Sequence, residues 1–353
     1  MDKRILNVNN TWDLESLTSE EDKKELILEV KDLHTYFYDR DEAIWKILEG
    51  VNLKVYKGET LGILGPSGSG KSVLAQSILK LITYPGKIVK GQVFFKGKDL
   101  LTIDEEIFNK IRGKEIALVL QNAPGAIDPL RDMTYTTIEP YREHSDEELV
   151  RSEIKMLVVS QLGQVAISEP LKVSDKYAHE LSGGESQRVK IASAVMNNPT
   201  LLIADEPVAN LDATIAGQIL ELLHQMKEKF KLTMILVAHN LGILAEFSDK
   251  IAILYAGKIL EYSDVETIFY QPRHPFTQGL FYASPSMAPR GKLKPIPGKE
   301  PDARKYPTGC RFHPRCEYAI EKCKKEIPEL KEIRDGHSVA CWRVNDIPDF
   351  ERE

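Results

Sequence analysis

The chain has 353 residues, 42% hydrophobic and 28% charged, a balance that supports a folded interior and excludes a disordered or fibrous protein. At roughly 150 residues per domain, that length suggests two structural units and rules out a small disulfide-stapled scaffold. Forty-seven basic against 53 acidic residues leave a formal net charge of -6, which argues against a general polyanion-coating role such as non-specific nucleic-acid binding.

Residues 1–25 are polar and charge-rich, without the apolar core or small-residue cleavage site of a secretory signal, and are expected to form a polar N-terminal extension. No stretch reaches the roughly 18 consecutive apolar residues of a membrane span, so a cytoplasmic protein is expected, any membrane association running through a partner. Leu26–Val30 and Val51–Val55 read as strands, and Glu59–Leu64 as a third, more buried one after the turn at Lys57-Gly58. A helix-like run follows from Ser72 to Ile82. From about 100 to 200 the pattern is mostly helical without a strong strand signal, as for an inserted helical subdomain. Leu201–Ala204 and Thr233–Val237 are short apolar runs without alternation, as expected of parallel strands covered on both faces, and Ile215–Phe230 reads as the crossover helix between them. Strands alternating with helices imply a doubly wound α/β core. Beyond Gln271 the composition shifts to proline, glycine and basic residues, and an appended module carrying all four cysteines begins.

Gly65-Pro66-Ser67-Gly68-Ser69-Gly70-Lys71-Ser72 satisfies every fixed position of the phosphate-binding loop, directly after an apolar strand and before a helix. Glycines let successive backbone N–H groups converge on a phosphate, Lys71 adds a positive charge across two phosphates, and Ser72 is placed to ligate Mg²⁺. Asp205 and Glu206 close a buried strand at the sheet edge where α/β proteins bind ligands; Asp205 would hold Mg²⁺ and Glu206 would polarise the water that attacks the γ-phosphate. His239 follows another apolar strand and could reach the same phosphate. Leu181-Ser182-Gly183-Gly184-Glu185 opens the helix-like run Ser186–Met196 and makes a second anion site. Two phosphate-type helix starts but one phosphate loop suggest that each serves a different nucleotide, which requires a partner chain.

Cys310, Cys316, Cys323 and Cys341 are separated by five, six and seventeen residues, wider than the paired knuckles of most structural zinc sites. Zinc, an iron–sulfur cluster and plain reduced thiols all remain open on spacing alone.

The order of these motifs resembles that of ABC-transporter ATPases from about residue 26 to 345, with Gln121 at the Q-loop position, Ala209-Asn210-Leu211-Asp212 as the D-loop and His239 as the switch. Gln121-Asn122-Ala123-Pro124 with Asp128-Pro129, then Arg273-His274-Pro275-Phe276-Thr277, Ile296-Pro297-Gly298 and Gly309–Cys316 resemble the oligopeptide/dipeptide importer branch, the Ile-Pro-Gly element its D-type subunit. In one position the signature departs from the common pattern, ending in Glu185 where glutamine is usual.

The resemblance implies an α/β P-loop NTPase core over residues 26–270 with an antiparallel β subdomain and an inserted α-helical subdomain at about 122–198, followed by a C-terminal cysteine-bearing extension over 271–353. It implies ATP bound by Phe37, stacked on adenine, and by Gly65–Ser72 and Gln121; Mg²⁺ held by Ser72, Gln121 and Asp205; and hydrolysis by Glu206, His239 and Lys71. Ser182, Gly183, Gly184 and Glu185, with Asp212 of the D-loop, would serve the partner's nucleotide. For the four cysteines it implies a [4Fe-4S] cluster, zinc being the alternative. The expected assembly is a heterodimer with a second ATPase, beneath two permeases on the cytoplasmic face of the membrane and fed by an extracellular binding protein, importing di- or oligopeptides. Related importers carry oligosaccharides or nickel. A soluble ABC ATPase acting on DNA or ribosomes is the competing class, but neither a long heptad-rich coiled coil nor a second cassette is present.

Overall fold

A computed structural model of the chain describes residues 25–39, 43–120, 127–285, 287–288 and 293–350. Four strands build a small antiparallel sheet: β1 (Leu26–Tyr38), β2 (Ile44–Tyr56), β4 (Gly86–Phe95) and β5 (Lys98–Asp99), in the order β2-β1-β4-β5. Leu28 and Val30 pair with Val55 and Leu53, and these four side chains point to the interior. That face covers the helix Lys71–Ile78, where the Thr35 and Ser77 hydroxyls meet at 2.8 Å in a buried contact.

The larger sheet is centred on β3 (Thr60–Leu64), which lies between β8 (Thr233–Ala238) and β9 (Lys250–Tyr255), parallel to both. Outward from β8 follow β7 (Leu201–Asp205) and β6 (Ile116–Val119), also parallel. Every residue of β3, β7 and β8 is buried, the physical reason their sequences run apolar without alternation. β6 adds a strand to the mostly helical pattern expected between 100 and 200, where no strong strand signal stands in the sequence. Its four residues are too few to show a period, and only pairing with β7 identifies them. Between β6 and β7 stand the helices Met133–Arg142, Arg151–Gln164, Pro170–Ser174 and Gly183–Ala194.

Beyond β9 the sheet turns antiparallel. β10 (Lys258–Asp264) folds back on β9, then β12 (His337–Val339) and β11 (Lys331–Arg334) extend the edge. The cysteine-bearing tail is thus sewn into the sheet rather than suspended from it. Glu261 of β10, fully buried, makes the seam: its carboxylate accepts from the Arg273 and His274 backbone N–H groups at 2.7 and 3.0 Å and meets His337 Nε2 at 2.7 Å. Glu261→Ala strands one buried and one part-buried N–H donor and a buried imidazole, and should destabilise the chain by about 3–5 kcal/mol, read as a lower urea midpoint. No helix among the described residues is long and apolar enough to cross a membrane.

Candidate functional site

The loop after β3 is shaped by close approach. A Cβ on Gly65 would lie 2.2 Å from the Leu254 carbonyl oxygen, so only glycine lets the loop cross β9 there. Gly70 takes φ 104°, a conformation that favours glycine, and caps the helix Lys71–Ile78. Lys71 is 5% exposed, and its Nζ donates to the carbonyls of Gly65 and Pro66 at 2.8 and 3.1 Å, holding the ammonium over the loop.

Behind the loop, β7 delivers two carboxylates with different surroundings. Asp205 is 1% exposed, and burial raises its carboxyl above the usual range, with the facing Ser72 hydroxyl and Lys71 drawing it back only in part. Its Oδ1 and the Ser69 Oγ are buried without a hydrogen-bond partner among the described residues. Orphaned acceptors of this kind beside a phosphate-type loop fit a bound Mg²⁺–nucleotide. Glu206, the next residue, turns sharply with φ 47° and is pinned by its N–H to the Val237 carbonyl at 3.0 Å. Its two carboxylate oxygens lie 3.5 Å from Lys71 Nζ and 3.5 Å from His239 Nδ1. Lys71, Ser72, Asp205, Glu206 and His239, drawn from three separate stretches of sequence, therefore meet at one place. Glu206 and His239 also form one wall of a cleft of about 690 Å³ between the helices Ala213–Phe230 and Leu241–Phe247.

The second helix start is built differently. Ser182 caps the helix Gly183–Ala194, accepting from the Glu185 N–H at 3.2 Å, while the Glu185 carboxylate accepts from the Ser182 N–H at 2.9 Å. That backbone hydrogen bond from Ser182 outweighs partial burial, and with Lys176 it holds the Glu185 carboxyl below the usual range. Glu185 in place of glutamine thus keeps the reciprocal cap. A Cβ on Gly184 would stand 3.0 Å from Ile215, which places this turn against the start of the helix Ala213–Phe230. Asp212 caps that helix, accepting from the N–H groups of Thr214 and Ile215 at 3.1 and 3.0 Å.

Phe37 is half-buried near the end of β1, its ring against Gly86. Trp45 of β2 sits opposite it in register, a second aromatic that sequence reading did not single out and that only strand pairing reveals. Gln121 lies outside the described residues.

Cys310, Cys316, Cys323 and Cys341 all line one small cavity, together with His274, His313, Phe312 and Trp342. Burial pushes the Cys341 thiol up to about 12 and Cys316 to about 11, the neighbouring thiols adding to the shift, and Cys310 moves the same way. The four sulfurs therefore sit within electrostatic reach of one another. Among the described residues, however, no three Cys, His, Asp or Glu side chains are grouped as ligands of a single metal ion. The cavity is about 10 Å³, room for one water, so a larger group would displace the thiols outward. Four thiols are a donor set that suits either a sulfur-ligated cluster or a structural zinc.

Residues 48–209 match the ABC transporter family, and residues 260–323 match the oligopeptide/dipeptide transporter C-terminal region. The chain is 38% identical to the dipeptide transport ATP-binding protein DppD of Escherichia coli (strain K12), over 89% of this chain and 96% of that one. It is 40% identical to the oligopeptide transport ATP-binding protein OppD of Bacillus subtilis (strain 168), over 92% and 91%. Among solved structures, the dimeric ATP-binding cassette MJ0796 in a post-hydrolysis state bound to ADP and Pi superposes with a TM-score of 0.61 at 28% identity, covering 68% of this chain and 99% of that one. With the phosphate loop, the paired carboxylates and the cysteine tail in place, this chain belongs to the ATP-binding subunits of the oligopeptide/dipeptide ABC transporters.

Proposed function

We propose that this chain hydrolyses ATP to power the import of di- and oligopeptides, as one half of a heterodimer with a second ATPase beneath two permeases, on the cytoplasmic face of the membrane. An extracellular binding protein delivers the cargo. The observation that carries the reading is the meeting of Lys71, Glu206 and His239 within 3.5 Å contacts at the end of β7.

In this reading Phe37 stacks on adenine, Gly65–Ser72 wrap the phosphates, and Ser72, Asp205 and Gln121 hold Mg²⁺, which neutralises phosphate charge. Glu206 orients a water and takes its proton as the water oxygen bonds to the γ-phosphorus; the bond to the β,γ-bridging oxygen breaks, leaving ADP and phosphate. Lys71 and His239 face the charge that gathers on the transferring phosphoryl group. Ser182, Gly183, Gly184 and Glu185 present their helix start to the nucleotide held by the partner, and Asp212 fixes the intervening D-loop. Closure of two such half-sites moves the permeases, and hydrolysis reopens them. Detergent extraction of native membranes, capture of this chain and mass spectrometry test the assembly: two permeases, a sister ATPase and a binding protein are expected. Recovery of soluble proteins or ribosomes alone would overturn it.

We further propose that Cys310, Cys316, Cys323 and Cys341 hold a [4Fe-4S] cluster. The all-sulfur donor set and the gathering of four thiols around one cavity support this. When bound, such a cluster supplies iron–sulfur bonds that cross-link the tail at four points. Anaerobic purification should yield about four iron and four sulfide per chain, and Cys341→Ser should lower both. One zinc per chain, or a folded tail free of metal, would contradict it.

A further inference from the structure

Between the cysteine loop and the phosphate loop lies a buried arginine that the hydrolytic chemistry does not use. Arg311 follows Cys310 directly and is 4% exposed. Its Nη1 donates to the Ala256 carbonyl and its Nη2 to the Glu49 carboxylate, while the guanidinium lies 4.1 Å from the Tyr306 ring centroid. Both gripped groups belong to the cradle of the phosphate loop. Ala256 and Gly257 form the turn between β9 and β10 with φ 46° and 76°, and the Gly257 N–H donates to the Ser69 carbonyl at 2.8 Å. On the other wall, the Glu49 N–H donates to the Gly257 carbonyl at 3.0 Å, and a Cβ on Gly70 would lie 2.8 Å from Leu48. The turn and β2 are in tight contact, since a Cβ on Gly257 would come within 2.0 Å of the Ile47 carbonyl oxygen. Burial alone would raise the Glu49 carboxyl, but Arg311 and Lys46 more than offset it and keep it below the usual range, so the pair is ionised at neutral pH.

We propose that Arg311 is a positioning residue for the phosphate loop: by clamping the Ala256 carbonyl and the Glu49 carboxylate together it holds the turn whose Gly257 N–H anchors Ser69, and so ties nucleotide affinity to the order of the cysteine-bearing tail. The proposal rests on the reading of residues 65–72 as a nucleotide loop. A guanidinium suits the task because it offers several donors in a fixed plane, bridges two acceptors and stacks on an aromatic ring at once. Loss of the clamp frees the turn, and the Ser69–Gly70 backbone is then no longer pre-shaped for phosphate.

The test uses the full-length chain with its metal content matched between variants, titrated with a fluorescent ADP analogue and Mg²⁺, with melting curves recorded alongside. Arg311→Met should raise the dissociation constant and the KM for ATP about tenfold while kcat at saturation stays within about threefold. Arg311→Lys should rescue part of the affinity, because an ammonium keeps one of the two contacts. Glu49→Gln should shift affinity in the same direction, and the double variant should be no weaker than Arg311→Met alone, as expected for partners in one interaction. A folded Arg311→Met that binds ADP as wild type does, even with a lowered melting temperature, would reduce Arg311 to a staple for the tail and overturn the proposal. Should that variant fail to fold, wild-type affinity in Glu49→Gln overturns it equally. Failure of the wild-type chain to bind ADP would instead bring down the nucleotide reading itself.

Discussion

Replacing Glu206 by glutamine lowers steady-state ATP hydrolysis by ~10²–10⁴-fold while nucleotide still binds. The substitution keeps the shape of the side chain and removes its ability to accept a proton. Local geometry shows why the adjacent Asp205 is not placed to take over. Asp205 is buried behind the loop with its carboxyl raised by burial and faces Ser72, whereas Glu206 turns out of β7 with φ 47° and sets its oxygens between Lys71 and His239. A left-handed glutamate costs on the order of 1 kcal/mol or more, and such strain persists where the surrounding structure imposes it. Kinetics separate the proposed role from a binding role: kcat should fall with KM unchanged or lowered. A variant retaining more than about a tenth of the wild-type kcat would move the proton-accepting group elsewhere.

Lys71→Met weakens nucleotide binding itself. The ammonium is nearly enclosed and is held in place by the Gly65 and Pro66 carbonyls before any ligand arrives, so it meets phosphate with little reorganisation. Hydrogen bonds to charged groups contribute about 1.5–3 kcal/mol each, and two of them to adjacent phosphates convert to a loss of ~10²–10⁴-fold in affinity. Fluorescent-nucleotide titration reads this directly. Affinity within tenfold of wild type in the folded variant would show that the loop backbone alone carries phosphate recognition.

Much of this site was legible in the sequence because its parts are local. The phosphate loop, the Asp205-Glu206 pair at the end of an apolar run and the Ser182 cap each occupy a few consecutive residues whose types are dictated by backbone geometry. What escaped was set by pairing across distance. β1 and β2 each run 13 residues, yet only their regular ends showed alternation, because Asp32 with φ 45° and the shifts in register around it break the period. The helix expected to reach Ile82 ends at Ile78, since Lys80 turns left-handed. β11 is exposed at all four residues and holds a single apolar side chain, Ile333, too little for an alternating pattern, so the Lys331–Arg334 sequence does not betray an edge strand. The Glu261–His337 seam joins residues 76 apart, and the Arg311–Glu49 clamp joins residues 262 apart. Neither can be read from spacing. The cysteines were legible as a set, and only the fold gathers them around one cavity.

Glu206 also provides the most direct test of whether ATP hydrolysis by this chain drives peptide import. The complete transporter, reconstituted in proteoliposomes with its binding protein, is assayed for ATP hydrolysis and uptake of a labelled peptide, with wild-type chain and with Glu206→Gln. Peptide-stimulated hydrolysis and uptake are expected in the wild type, and loss of uptake together with a loss of ~10²-fold or more in hydrolysis in the variant. Peptide uptake that survives Glu206→Gln, or wild-type hydrolysis that moves no peptide, would contradict it.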